Sequence, residues 1–339
     1  MSAPILENAH KHIICIGAIY VDTILNVPHF PIEDQKLRAK KLTRRRGGNT
    51  GNTLEVLAQL LEHDPGLETD QDPQAIQLHL LAVLPDRQSI TMALIRDSLP
   101  RVDLDHSCIF REGHMEAASS YIIQNEQNLS RTIVSINELP EMTANEFTAQ
   151  ASRMAIADNH GWFHFEGRIP DVTLECVQYL RSKKEFASFK ISVECEKPER
   201  TGMADVARLA DVVFYSRLWA DSNGYDNATT FLESQISSAR PGALLCCTWG
   251  AGGATAVQKS TTSHGVLEWE SVHAWQPETK QSLVDTVGAG DTFVAGMLFT
   301  LSSREDWKLQ EKLQFANQLA GRKVLQDGFA GLGRKIFRV

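Results

Sequence analysis

The sequence predicts a three-layer α/β/α core with a mainly parallel sheet, plus a small β-sheet lid. Three observations carry that expectation. Short apolar or β-branched runs alternate with longer amphipathic segments, the pattern of parallel strands joined by crossover helices. Two segments, 22–46 and 112–137, break the alternation with interleaved polar and apolar residues and no helical period. The chain has 339 residues, enough for one large α/β unit with an appendage.

In chain order, the strand candidates are 13–20, 78–84, 107–110, 162–165, 189–193, 212–215 and 243–248, short runs rich in β-branched, aromatic or other apolar residues. Helices are expected between them at 49–61, 87–98, 144–154, 172–182, 203–209 and 227–237, and two more, 291–301 and 309–325, close the chain. The two exceptional segments are strand-like (Leu42, Thr43; Ser120, Tyr121, Ile122, Ile123). Together they would form a small sheet over the carboxyl ends of the main strands, where α/β folds bind ligands. This assigns the core to 1–21, 47–111 and 138–339, and the lid to 22–46 and 112–137. The stretch 62–77, with two Asp-Pro steps, reads as a surface loop without chemistry.

The apolar fraction of 42% and charged fraction of 22% are ordinary globular values and exclude a disordered or fibrous chain. A net charge of −8 argues against attachment to nucleic acid or an anionic membrane by global charge. The basic run Lys36, Arg38, Lys40, Lys41, Arg44, Arg45, Arg46 reads as a guarded strand edge, since no aromatic residues interleave to stack on bases. The six cysteines form no CxxC pair and are expected as reduced thiols. No apolar stretch approaches the roughly 20 residues of a membrane span, and residues 1–12 show no leader pattern. A cytoplasmic protein with no membrane partner is expected.

The most informative string is Val284-Asp285-Thr286-Val287-Gly288-Ala289-Gly290-Asp291-Thr292-Phe293. The small residues allow an open turn whose N–H groups converge, and a helix starting near Asp291 would add its positive end. Asp291 reads in two ways. It is an ordinary helix N-cap, or a base. A carboxylate beside an anion site would repel phosphate unless it took the proton from an attacking hydroxyl. No GxxxxGK[ST] occurs, and the dinucleotide GxGxxG fails at Phe293. Gly250-Ala251-Gly252-Gly253 is followed by extended residues, so it is a weak phosphate loop.

A second string, Arg46-Gly47-Gly48-Asn49-Thr50-Gly51-Asn52, precedes the apolar helix positions Leu54, Leu57, Ala58 and Leu61. Asn49 and Asn52 are three apart and share a helix face, where amides suit a polyhydroxylated ligand or, alternatively, simply cap the helix. Asp22 falls at the same sheet edge as a hydroxyl acceptor or turn residue. Glu166 and Arg168 follow a strand end and read as sugar or lid contacts, or as a buried ion pair. His160 and His164 fall in an apolar strand pattern, and no further ligand cluster makes them a metal pair.

The two glycine strings resemble the two signatures of the PfkB (ribokinase-like) carbohydrate kinases, and the resemblance covers nearly the whole chain. Within that family the chain is similar to the ketohexokinase subgroup through Cys15-Ile16-Gly17, Arg45-Arg46-Gly47-Gly48-Asn49 and Ser130-Arg131-Thr132-Ile133. Similar segments continue in Phe163-His164-Phe165-Glu166-Gly167-Arg168, Ile191-Ser192-Val193-Glu194-Cys195-Glu196-Lys197-Pro198 and Ala320-Gly321-Arg322-Lys323.

The resemblance implies a ribokinase-like fold and an ATP-dependent phosphotransferase with an alcohol acceptor. By it, Asp291 is the catalytic base and Gly288, Ala289 and Gly290 form the anion hole. Asp22, Gly48, Asn49 and Asn52 hold the sugar, Arg131 reaches the nucleotide phosphates from the lid, and Gly253 lines the nucleotide site. It also implies Mg2+, a response to K+ in many members, and a homodimer through the lid. Two departures stand out. Ala251-Gly252 replaces an acidic pair, and Ser216-Arg217-Leu218-Trp219 replaces the Asn-x-x-Glu that organises magnesium in many members, leaving Glu194 as the stand-in. The acceptor expected is a ketohexose such as fructose at its first hydroxyl. The alternatives are ribose, another sugar or a nucleoside, or a catalytically weak binding homologue.

Overall fold

The structure, a computed structural model, describes residues 11–66, 76–128, 130–154, 160–262, 265–279 and 281–337. Its strands are β1 (Lys11–Ile16), β2 (Tyr20–Val27), β3 (Lys41–Gly47), β4 (Ile76–Leu81), β5 (Val83–Leu84), β6 (Val102–Asp103), β7 (Ile109–Phe110), β8 (Ser119–Asn125), β9 (Arg131–Ile136), β10 (His160–Phe165), β11 (Phe189–Cys195), β12 (Val212–Ser216), β13 (Leu244–Thr248), β14 (Ala254–Gln258) and β15 (Glu268–Val272). Its helices are α1 (Asn49–His63), α2 (Ile90–Ser98), α3 (Ala144–Met154), α4 (Pro170–Ser182), α5 (Met203–Ala207), α6 (Arg217–Ser222), α7 (Ala228–Ile236), α8 (Ala289–Ser303), α9 (Leu309–Lys323) and α10 (Leu332–Phe337).

Among the described residues the main sheet has nine strands in the order β15-β14-β13-β12-β11-β10-β1-β4-β6. Pairing is parallel from β6 across to β13, and antiparallel for β14 and β15. Alternation along β1 divides the core. Ile13 and Cys15 face one apolar cluster with α1, α8, α9 and α10, whereas Ile14 and Ile16 face another with α3, α4, α5 and α7. Both faces are covered, which is the three-layer arrangement expected of a parallel sheet. A separate four-stranded sheet has the order β3-β2-β8-β9, and its central pair, β2 with β8, is parallel although far apart in sequence.

Several boundaries differ from the sequence expectation. The strand expected over 13–20 stops at Ile16, because Gly17 turns the chain where a Cβ would lie 1.8 Å from Thr50 Oγ1. The next strand, β2, belongs to the other sheet. The run expected over 78–84 divides between β4 and β5, and β5 pairs with β7 in a short ribbon. Helix α2 starts at Ile90 rather than 87, where the Ser89 hydroxyl accepts from Thr91 N at 3.2 Å. Elements β6, β15, α6 and α10 were not anticipated, being short or polar. Residues 67–75 of the Asp-Pro-rich stretch lie outside the described residues.

All six cysteines are buried and unbridged. Burial pushes the Cys15, Cys108, Cys176, Cys195, Cys246 and Cys247 thiols up, so they act as small apolar side chains. Among the described residues no helix is long and apolar enough to cross a membrane.

Candidate active site

A cavity of about 910 Å3 opens at the carboxyl ends of β1 and β10 to β13, under the second sheet. Strand order runs outward in both directions from β1, which makes this edge the switch point at which open α/β sheets bind ligands. Glu166, at the end of β10, stitches the switch point together. Its Oε2 accepts from Ala18 N and from Thr50 Oγ1, each at 2.9 Å.

Asp291 sits on the cavity wall in the first turn of α8. The helix begins two residues earlier than the sequence suggests, so its N-cap is Gly288 and not Asp291. Gly288 has φ +77, a conformation in which most side chains are strained, and α8 starts from it with its N–H groups toward the cavity end. The Asp291 residue is only 7% exposed, yet it accepts a hydrogen bond from Asn52 Nδ2 at 2.7 Å through Oδ2. Burial pushes its carboxyl well above the usual range, with further upward pushes from the charges of Glu194, Glu196 and Glu166. The Asn52 bond opposes them. A carboxyl whose hold on a proton is strengthened in this way is suited to accept one.

The remaining predicted residues divide. Asp22, Gly48, Asn49, Asn52, Glu166, Arg168, Arg131, Glu194 and Gly288 to Asp291 all line this cavity. Gly48 has φ +94 and approaches Ala18 closely, its hypothetical Cβ lying 2.4 Å from that carbonyl oxygen. Asn49 donates to Glu196 Oε2 at 2.9 Å. Burial raises the Asp22 carboxyl, and Arg45 and Arg46 counter that shift. Of the two readings of Glu166 and Arg168, the ion pair between them does not form. Arg168 instead donates to Tyr20 Oη and to Glu141 Oε1, each at 2.7 Å. Gly253 is buried in the turn between β13 and β14, outside the residues that line the cavity.

Arg131 enters from β9 and lies 3.4 Å from Asp285 Oδ1. Asp285 is the hub of this rim, because Arg45 and Lys323 also face it at 3.8 and 3.0 Å. Glu194 Oε1 hydrogen bonds His164 Nε2 at 3.1 Å, and His164 Nδ1 meets Ser192 Oγ at 2.8 Å. Burial drives Glu194 toward its protonated form and lowers the His164 imidazole to about 3.

Among the described residues, no group of three or more His, Cys, Asp or Glu side chains is spaced to hold a metal ion. A magnesium-bound polyphosphate brings oxygen ligands of its own to such a site.

Sequence reasoning missed Arg46, Glu196, Asp285 and Lys323. The first was hidden in a basic run in which Lys36, Arg38, Lys40, Lys41 and Arg44 are exposed and Arg45 is half-buried. Glu196 and Lys323 fell inside similar segments without being singled out. Nothing in their spacing reveals that the fold carries them to this rim.

Residues 10–331 match the family described as pfkB family carbohydrate kinase. The chain is 29% identical over 329 residues to ketohexokinase of Mus musculus, a match covering 95% of this chain and 99% of that protein. Its fold is similar to that of a ribokinase from Giardia lamblia, with TM-score 0.71 and 18% identity, covering 96% of this chain and 97% of the other. It is also similar to a ribokinase from Cryptococcus neoformans var. grubii serotype A in complex with ADP, with TM-score 0.63 and 13% identity, covering 96% of this chain and 98% of the other.

Proposed function

The chain belongs to the pfkB family of carbohydrate kinases, and on that premise we propose that it phosphorylates a ketohexose, fructose at its first hydroxyl, with ATP as donor and Asp291 as general base. Membership makes it a phosphotransferase with an alcohol acceptor. The acceptor is carried over from the similarity to mouse ketohexokinase. The observation that carries the mechanism is the buried Asp291 carboxylate beside the N-terminus of α8.

In this reading Asp22, Asn49 and the Gly48 backbone hold the sugar hydroxyls, and Asn52 keeps one N–H beyond the one given to Asp291. Asp291 takes the proton of the attacking hydroxyl as the phosphorus–oxygen bond forms, and ADP leaves. Gly288, Ala289 and Gly290 present N–H groups to the transferred phosphoryl group, and Arg131 meets the nucleotide phosphates with its planar fork. Glu194 and Glu196 on the cavity wall are the residues that would hold a magnesium ion accompanying ATP, which would neutralise phosphate charge there.

The four-stranded sheet acts as lid. Strand β9 is exposed on both faces, with Ile133, Val134 and Ile136 at 55, 63 and 50% exposure, which supports a homodimer made through that sheet. The buried thiols and the ATP requirement fit a cytoplasmic setting.

The test is a panel of fructose, ribose, glucose and nucleosides with MgATP, reading ADP release and locating the phosphate by NMR. Fructose 1-phosphate as the preferred product supports the reading. Preferred turnover of another acceptor assigns the chain to a different member of the family, and binding without turnover across the panel would make it a non-catalytic homologue. A K+ titration of the same assay reads the monovalent-cation response that the family resemblance implies.

A further inference from the structure

We propose that Arg46 is a positioning residue for the Asp291 carboxylate, acting through the side-chain amide of Asn52. Arg46 Nη1 donates to Asn52 Oδ1 at 2.6 Å, and Asn52 Nδ2 donates to Asp291 Oδ2 at 2.7 Å. Donor chemistry fixes the orientation of that amide. A guanidinium only donates and a carboxylate only accepts, so the Asn52 oxygen must face Arg46 and its nitrogen must face Asp291.

The guanidinium is itself held. Arg46 Nη2 is bonded to Glu55 one turn further along α1, with the Arg46 side chain 1% exposed and that of Glu55 26% exposed. Gly51 supplies the space, since a Cβ there would lie 2.8 Å from Arg46 Nη1. The Arg-Gly-Gly-Asn-x-Gly-Asn string is thus a single device. Its first residue orients its last, and the glycine between them lets the guanidinium lie against the helix.

The charge of Arg46 acts in the same direction as its geometry. Asp291 faces the carboxyl groups of Glu166 on the β10 side and of Glu194 and Glu196 on the β11 side, and Asn52 of α1. Asp22 of β2, Arg45 of β3 and the pair Lys197 and Arg200 after β11 line the same cavity. Arg46 attracts Asp291, Glu55 and Asp22. It is the cation hydrogen bonded, through one amide, to Asp291, and so favours the ionised base over the protonated acid.

The inference rests on Asp291 being the base of the proposed kinase. The experiment compares Arg46→Met, Arg46→Lys, Glu55→Gln and Asp291→Asn with the parent protein, using steady-state kinetics with fructose and MgATP and the pH profile of kcat/KM. Thermal melting confirms that each variant is folded. Arg46→Met is expected to lower kcat by about 10- to 100-fold, leave both KM values within about threefold, and move the acidic limb of the profile upward. Arg46→Lys, which keeps the charge but cannot fork to Asn52 and Glu55, is expected to lower kcat about tenfold with a smaller limb shift. Glu55→Gln, which removes a negative charge from the guanidinium, should not move the limb upward.

If Arg46→Met does not fold, the other two variants decide. Arg46→Lys with kcat within twofold of the parent and an unmoved limb overturns the proposal, as does an upward limb shift in Glu55→Gln. Asp291→Asn separates the layers. Near-normal activity in that variant removes the base, and the relay with it, whereas an inactive Asp291→Asn beside kinetically normal Arg46 variants leaves the base and removes the relay alone.

Discussion

Lys323 Nζ lies 3.0 Å from both the carbonyl oxygen and Oδ2 of Asp285, tying the last turn of α9 to the loop that leads into Asp291. The ammonium is completely buried at the side chain and stands 5.1 Å from the Phe329 ring, and Phe329 in turn packs against Gly288. The loop over which a phosphoryl group would transfer is therefore braced from below by a fixed cation. Among the described residues, removing that cation leaves Asp285 with Arg45 and Arg131 as ion-pair partners. Lys323→Met is expected to cost about 3 kcal/mol in urea denaturation, at the low end of breaking a buried pair because two partners remain.

Glu194 tests the electrostatics of the interior. Burial raises its carboxyl well above the ordinary 4.5, so the folded state holds a proton that the unfolded chain releases. That difference destabilises the fold progressively as pH rises above about 4.5. Glu194→Gln keeps the shape and removes the titration. The variant is expected to melt at a higher temperature than the parent at pH 8, with the gap closing below about pH 4. Melting curves across that pH range check the sign, and a gap that widens on acidification contradicts it.

Arg131 tests the part assigned to the second sheet. It is 29% exposed at the side chain and is held at 3.4 Å by Asp285, a weak tether that phosphate can replace. Arg131→Met is expected to raise KM for ATP about tenfold or more, the scale of one charge-assisted contact. KM for the sugar should change little. Equal rises in both values place Arg131 in general lid closure instead of phosphate contact.

Much of the fold was legible because parallel strands buried on both faces leave apolar runs, as in β1, β10 and β13, and because glycine punctuates the turns that matter. The second sheet was legible from a break in that rhythm. What escaped was set by tertiary contacts. Whether a run such as 78–84 remains one strand depends on which neighbour each residue meets, and β5 finds β7 instead of the main sheet. At the site, residue types gave Asp291, Asn49 and Asn52. No local pattern shows that Asn52 spends both ends of its amide on Arg46 and Asp291. Arg46 was masked because a buried arginine and a solvated one look alike in a run of basic residues.

The most direct measurement is the turnover of Asp291→Asn with fructose and MgATP, set beside the sugar dissociation constant of the same variant. If Asp291 is the base, kcat falls by about two to four orders of magnitude while fructose affinity stays within about threefold. Retention of more than about a tenth of the parent activity would contradict the account, because loss of a general base costs far more than that.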